Sequence, residues 1–512
     1  MVSDLTIDLA KAREEIEQYA RGFGLDFFPT IFEVLEFDEI NQVAAYGGFP
    51  TRYPHWSHGM EFEQLSKGYE WGLSKIYEMV INNNPCYAYL MKSNPLIDQK
   101  LVMAHVYAHC DFFKNNYWFS RTNRRMIDEM ANHATRIRRY IDKFGFEPVE
   151  SFLDTCLSVD NLIDAHSVFT TRSQDLTEPL RDFLEEDEDL SPRPKIPKLK
   201  SKDYMDAYIN PPDFMEAQRQ KIEDRRKKKK KFPEEPTKDV LAFLLSHAPL
   251  ERWQRDVLSV VREEAYYFAP QAQTKIMNEG WAAYWHSTIM TQKVLKDSEI
   301  VDYADHHSGT LATQPGRLNP YKLGIELFRN IEDRWNRGKF GKEYDDCTSL
   351  VEKKKWNKKL NLGREKIFEA RRVYNDITFL DEFLTAEFCF EQKMFTYGFN
   401  PKSGNYEILS REFEKIKKQL LYSLTNLGHP IVFVADGNFE NRGELLLEHK
   451  HEGIDLRMDW AKDTLANLHR IWQRPVNLLT AFDGQGKLLS YDGAEHRERN
   501  TDEKKPGSSD PE

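Results

Sequence analysis

Residues 104–113 read AHVYAHCDFF. They place His105 and His109 four residues apart in a segment with helical periodicity: Ile97, Leu101, Ala108 and Phe112 form one apolar stripe across 97–113. Residues one turn apart share a helix face, so both imidazoles fall on that stripe and turn toward the interior. Two buried histidines are costly unless each finds a partner. A shared metal ion is one such partner, because neutral imidazole is a favoured ligand for zinc and iron. Carbonyls or carboxylates of a packed core are the other, and the spacing leaves both open. A second stripe on this segment, Val102, Val106, Cys110 and Phe113, predicts packing against another helix.

A third ligand is sought in 247–290, the most aromatic stretch of the chain. There Glu279 shares a face with Ile276, Ala283, His286 and Met290, and Glu264 shares one with Val257, Val261 and Phe268. A carboxylate on an apolar stripe needs a buried cation or a metal. Lys275 and Arg262 are the nearby cations. The run NEGWAAY, 278–284, resembles the segment that carries the third zinc ligand of gluzincin metallopeptidases. That likeness implies a His105, His109 and Glu279 triad, a divalent metal (zinc foremost) and a zincin-like helical arrangement. One position departs: Val106 stands where H-E-x-x-H has its catalytic glutamate. A general base would then come from Glu264 or Glu263 on another helix. His133 and His286, both on apolar faces, are rival ligands. DHHSGT, 305–310, reads as a polar loop. The sequence contains no G-x-x-x-x-G-K-[ST], no G-x-G-x-x-G opening a helix and no G-x-S-x-G.

The 512 residues exceed one ordinary domain. The fold class expected is α+β, predominantly α-helical. A helical domain is expected in two parts, 1–171 and 238–399, around a charged, partly disordered linker at 172–237 with its basic run Arg225–Lys231. The linker reads most simply as solvated chain. A small α+β domain is expected at 400–493, with strands in PIVFVADGNF, GELLLEHKHEG, VNLLTAF and KLLSYDG, followed by a disordered tail at 494–512. Asn319 before Pro320 signals a helix start, and Asp483–Gly484 a hairpin. The loop YGGFPTRYPHWSHG, 46–59, is too apolar for solvent and reads either as pinned to the core or as a cleft wall.

The formal charge is −11, which speaks against wholesale nucleic-acid binding. No apolar run approaches the length of a membrane span, and the first residues lack an apolar signal core, so a cytoplasmic location is expected. Five cysteines without C-x-x-C pairing fit free thiols.

YGGFPTRYPHW, HVYAHCDFFKNN, REEAYYFAPQAQTKIMNEGWAAYWH and PGRLNPYKLGIELFRNIEDRW together resemble the SpoVR family, stage V sporulation protein R, over almost the whole chain. The resemblance implies a part in spore-cortex formation or in stress and stationary-phase physiology. It also implies partners, an AAA+ serine protein kinase and a von Willebrand-type protein. It leaves the reaction open between a metal-dependent hydrolase and a non-catalytic regulatory or scaffold protein.

Overall fold

The computed structural model describes residues 5–70, 79–169, 211, 232–312, 318–400 and 405–501. The fold is α+β and mostly helical. In chain order the elements that matter below are α1 (Ile7–Gly22), β1 (Thr30–Leu35), α2 (Phe37–Ala45), α3 (Trp56–Glu70), β2 (Met79–Ile81), β3 (Cys86–Met91), α4 (Leu96–Asn115), α5 (Met126–Phe144) and α6 (Phe146–Leu157). After 232 come α7 (Val240–His247), α8 (Arg252–Gln273), α9 (Lys275–Ile289), α10 (Ile300–Thr310), α11 (Pro320–Arg337), α12 (Gly363–Val373) and α13 (Asp376–Phe383). The chain ends with β4 (Thr396–Asn400), β5 (Asn405–Ser410), α14 (Phe413–Leu424), β6 (Val432–Phe439), β7 (Glu444–His449), α15 (Met458–Trp472), β8 (Val476–Phe482), β9 (Gln485–Tyr491) and β10 (His496–Asn500).

The chain divides into two compact units, each assembled from separated segments: Met1–Asp154 with Glu263–His429, and Thr155–Arg262 with Pro430–Glu512. In the first, α4 is wrapped on nearly every side. Its two stripes are both buried, Val102, Val106, Cys110 and Phe113 as well as the histidine face. Helix α4 packs on α1 and α9, and α9 packs on α11. The α9–α11 crossing is unusually close because glycines meet there. A Cβ built on Gly280 would lie 2.3 Å from Gly324 Cα, and one on Gly324 would lie 2.2 Å from Ile276 O. Only residues without side chains permit that approach.

Helix ends are secured as the sequence signals. Asn319 accepts from the Lys322 amide with Pro320 in the first turn, and Gly338 closes α11 in the left-handed region at φ 71°. Helix α9 takes its N-cap from outside: Asp376 accepts from the amides of Ile276 and Met277, each at 2.8 Å. Within the same unit a three-stranded sheet, ordered β1-β3-β2, pairs β1 with β3 parallel and β2 with β3 antiparallel. Its strands are three to six residues long, too short for alternation to stand out in a region that reads as helical.

The second unit carries a five-stranded sheet, β10-β9-β8-β7-β6. Helix α15 is the crossover between β7 and β8, which pair in parallel. Asp483 and Gly484 both have positive φ, 50° and 75°, as the two-residue turn between β8 and β9 requires. Thr237, at the end of the expected linker, forms an isolated antiparallel bridge with Val434 of β6. Most of 172–237, and 502–512, lie outside the described residues. His496–Asn500, expected within the tail, pairs as the edge strand on β9. All five of its side chains are exposed, so its pairing rests on backbone hydrogen bonds and leaves no apolar alternation to read.

Candidate metal centre

His105 and His109 are both buried on the interior face of α4, and Glu279 meets them from α9. Glu279 Oε2 lies 3.7 Å from His105 Nε2 and 3.5 Å from His109 Nε2. One ligand atom from each of the three falls within 4.8 Å of the others. Donors arranged tetrahedrally about an ion at ~2.1 Å lie ~3.4 Å apart, close to these separations. The sequence spacing thus brings together residues that are 170 positions apart, Glu279 lying that far beyond His109.

The surroundings orient the donors. His109 Nδ1 is 2.9 Å from Asn278 Oδ1. An amide oxygen only accepts, so Nδ1 carries a proton and Nε2 is the nitrogen turned toward Glu279. His105 Nδ1 is 2.7 Å from His286 Nδ1, so one of the two holds the shared proton. His286 Nε2 continues to His307 Nδ1 at 3.1 Å. Glu279 Oε1 accepts from Lys275 Nζ at 2.5 Å, while Oε2 is buried and accepts no hydrogen bond. Burial works to raise the Glu279 pKa. Contact with His105 and His109, together with the charge of Lys275, outweighs it and holds the carboxyl well below its ordinary range. An anionic carboxylate facing two imidazole nitrogens fits a divalent cation in donor type and spacing.

Below the triad, Asp111 accepts from Trp281 Nε1 and from the Asp26 amide, each at 2.8 Å, and so ties α4 to α9. Burial pushes its carboxyl up to about 6 against the pull of Arg371.

The other candidates gather elsewhere in the same unit. Glu264 Oε2 accepts from Arg52 at 2.6 Å and from Tyr53 OH at 3.0 Å, and its Oε1 lies 3.0 Å from His133 Nδ1. Glu263 Oε2 lies 3.4 Å from His133 Nε2. Burial alone would lower the His133 pKa; the flanking carboxylates of Glu263 and Glu264 reverse this and lift it to about 9. Glu263 is in turn held below its usual range, by His133 foremost. None of these partners of Glu264 belongs to the triad, and neither does His133. His286 touches the triad through His105.

Several partners escape a reading of the sequence. Lys275 does pair with Glu279, as the sequence suggests, but Glu264 takes Arg52 and Tyr53, and Arg262 pairs with Asp239. Arg52 and Tyr53 come from the stretch 46–59, which is a loop only up to His55 because α3 opens at Trp56, and which is pinned inward by Phe49 and Tyr53, each 1% exposed. The run 305–310 ends α10 and is not a loop. Its adjacent histidines diverge, His307 to His286 and His306 to Asp98. No apolar stripe there beyond Tyr303 marks the helix.

No helix among the described residues is long and apolar enough to cross a membrane. The family described as SpoVR like protein matches residues 4–429, and the SpoVR-like C-terminal domain matches 430–483. The chain is 29% identical over 506 residues to the uncharacterized protein YcgB of Escherichia coli (strain K12), a match covering 93% of this chain and 92% of that protein. No solved structure matches. Matches that account for nearly the whole length, with the histidine pair and the NEGWAAY run both inside the first of them, make this chain a member of the SpoVR-like family.

Proposed function

We propose that His105, His109 and Glu279 hold a divalent metal ion, zinc foremost, and that this centre is the functional core of the protein. The observation that carries the reading is the convergence of two imidazole Nε2 atoms on Glu279 Oε2, a buried oxygen that accepts no hydrogen bond. Three protein ligands of the His-His-Glu type belong to catalytic zinc sites, whereas structural sites close with four. Metal-dependent hydrolysis of a peptide or amide bond is therefore the first reading. A bound zinc would supply Lewis acidity. The chain's own part is to fix both imidazoles through Asn278 and His286 and to keep Glu279 ionised through Lys275.

A second reading, a regulatory or scaffold protein with a metal centre that does no chemistry, draws on two observations. Val106 is fully buried where a base would stand, and both oxygens of Glu264 are engaged by Arg52, Tyr53 and His133. In either case we place the protein in the physiology that the family resemblance implies: cortex formation or stress and stationary phase, beside an AAA+ serine protein kinase and a von Willebrand-type protein.

Elemental analysis of the purified protein tests the centre. The triad is expected to contribute one equivalent of zinc, iron or another divalent metal, lost in both His105→Ala and Glu279→Gln. Equal metal content in wild type and the two variants would remove the proposal. Release of amine from a generic peptide pool by the metal-loaded protein, and its loss in Glu279→Gln, would separate the first reading from the second.

A further inference from the structure

The Glu264 cluster contains a donor set of its own. Glu129 and His133 sit one turn apart on α5, and Glu263 reaches them from α8; one ligand atom from each lies within 4.8 Å of the others. The decisive member is His133. It is fully buried, and its Nε2 makes no hydrogen bond although it lies 3.4 Å from Glu263 Oε2. Its other nitrogen, Nδ1, is 3.0 Å from Glu264 Oε1. Glu264 cannot turn away, because Arg52 and Tyr53 hold its second oxygen at 2.6 Å and 3.0 Å.

This is the arrangement around a metal-bound histidine: one ring nitrogen gives its proton to a fixed carboxylate, and the other presents a lone pair. Here Nε2 is turned toward the two remaining carboxylates, and an ion that displaced its proton would meet its lone pair there. Burial grades outward across the set. His133 is buried, Glu129 half-buried and Glu263 exposed, so the set opens toward solvent on the Glu263 side.

We propose that Glu129, His133 and Glu263 form a second divalent-cation site, independent of the His105–His109–Glu279 triad. One imidazole with two carboxylates is a mixed nitrogen and oxygen set, which suits first-row ions such as Mn²⁺ and Zn²⁺ better than Ca²⁺ or Mg²⁺. Glu264, Arg52 and Tyr53 are positioning residues, since they act on the ion only through His133. The competing arrangement is a protonated His133 that bridges Glu263 and Glu264 with no ion involved.

The full chain, stripped with a chelator, is titrated with MnCl₂ while free Mn²⁺ is followed by electron paramagnetic resonance, and with ZnCl₂ by calorimetry. Glu129→Gln/Glu263→Gln is expected to bind one equivalent fewer than wild type, and to melt normally because neither residue is fully buried. His105→Ala/Glu279→Gln is expected to keep the equivalent that the first variant loses. Glu263→Gln alone, the mildest change at the most exposed ligand, is expected to weaken Mn²⁺ binding at least tenfold. Equal stoichiometry and equal affinity in wild type, Glu129→Gln/Glu263→Gln and Glu263→Gln would overturn the site and leave the bridging proton as the explanation. Failure of the triad has a different signature, a single wild-type equivalent that survives His105→Ala/Glu279→Gln.

Discussion

Val106 and Asp376 show how single residues set the limits of this site. Val106 is fully buried, and its neighbours Val102 and Cys110 along the stripe are equally so. A glutamate there would be an unpartnered buried carboxyl, at a cost of several kcal/mol unless it took up a proton. Val106→Glu is therefore expected to lower the melting temperature and to bring no peptide hydrolysis. A stable variant that cleaved peptides would show that the H-E-x-x-H geometry had been latent. Asp376 carries a pH signature. Burial pushes its carboxyl from 3.8 up to about 7, against the pull of the two α9 amides that it caps. The folded state thus binds this proton more tightly than the unfolded chain. The Asp376 contribution is greatest at and below pH ~4, declines as pH rises toward 7, and is constant above that. In urea melts, the stability difference between wild type and Asp376→Asn should fall between about pH 4 and pH 7 and then level off. A difference that rises across this range would contradict the assigned direction.

At the scale of elements, the contact between α9 and α11 is the tightest constraint on the site. Gly280 follows Glu279 directly, and its missing side chain is what lets α9 lie against Gly324. Backbone atoms cannot move aside as a flexible side chain can. Gly280→Ala should therefore cost at least the ~1–3 kcal/mol typical of overpacking, and should lower metal content by shifting Glu279. Gly59→Ala, where a Cβ meets nothing within 4 Å, is the control and should melt like wild type. Much of this was legible from residues. The four-residue spacing on an apolar stripe gave α4 and its two imidazoles, and the carboxylate on the stripe of α9 gave Glu279. The Asn-Pro start of α11 and the Asp-Gly turn of the C-terminal sheet were equally plain. What escaped has a common cause. Arg52, Tyr53, His307 and Asp376 act across long sequence separations from loops or helix ends, where no periodicity announces a partner. The short strands β1 to β3 draw their burial from the helices around them, and β10 draws its pairing from backbone alone.

Over the whole molecule, the second unit is built from distant segments in the same way as the first. Thr237 and Val434 exchange backbone hydrogen bonds at 3.0 Å and 2.8 Å, and Phe243 lies 5.8 Å from Trp472. The family boundary at 429/430 thus runs through a packed unit. A chain ending at His429 would leave buried side chains of α7 without the sheet they pack on. It is expected to bind a hydrophobic dye and to melt below the full chain. Identical melting without dye binding would show that 155–262 packs unaided. The interleaving also gives the protein a timetable. Chains are made from the N-terminus at ~5–20 residues per second, so roughly 9–35 seconds separate the emergence of His105 from that of Glu279. Through that interval the nascent chain carries two imidazoles on an apolar helix whose covering partner has not yet been translated. Helix α7 waits as well, for strands that are translated only after residue 430. Neither unit can close early, so ribosome pace and holdase chaperones bear directly on whether the histidine face is covered by α9 or caught first by something else.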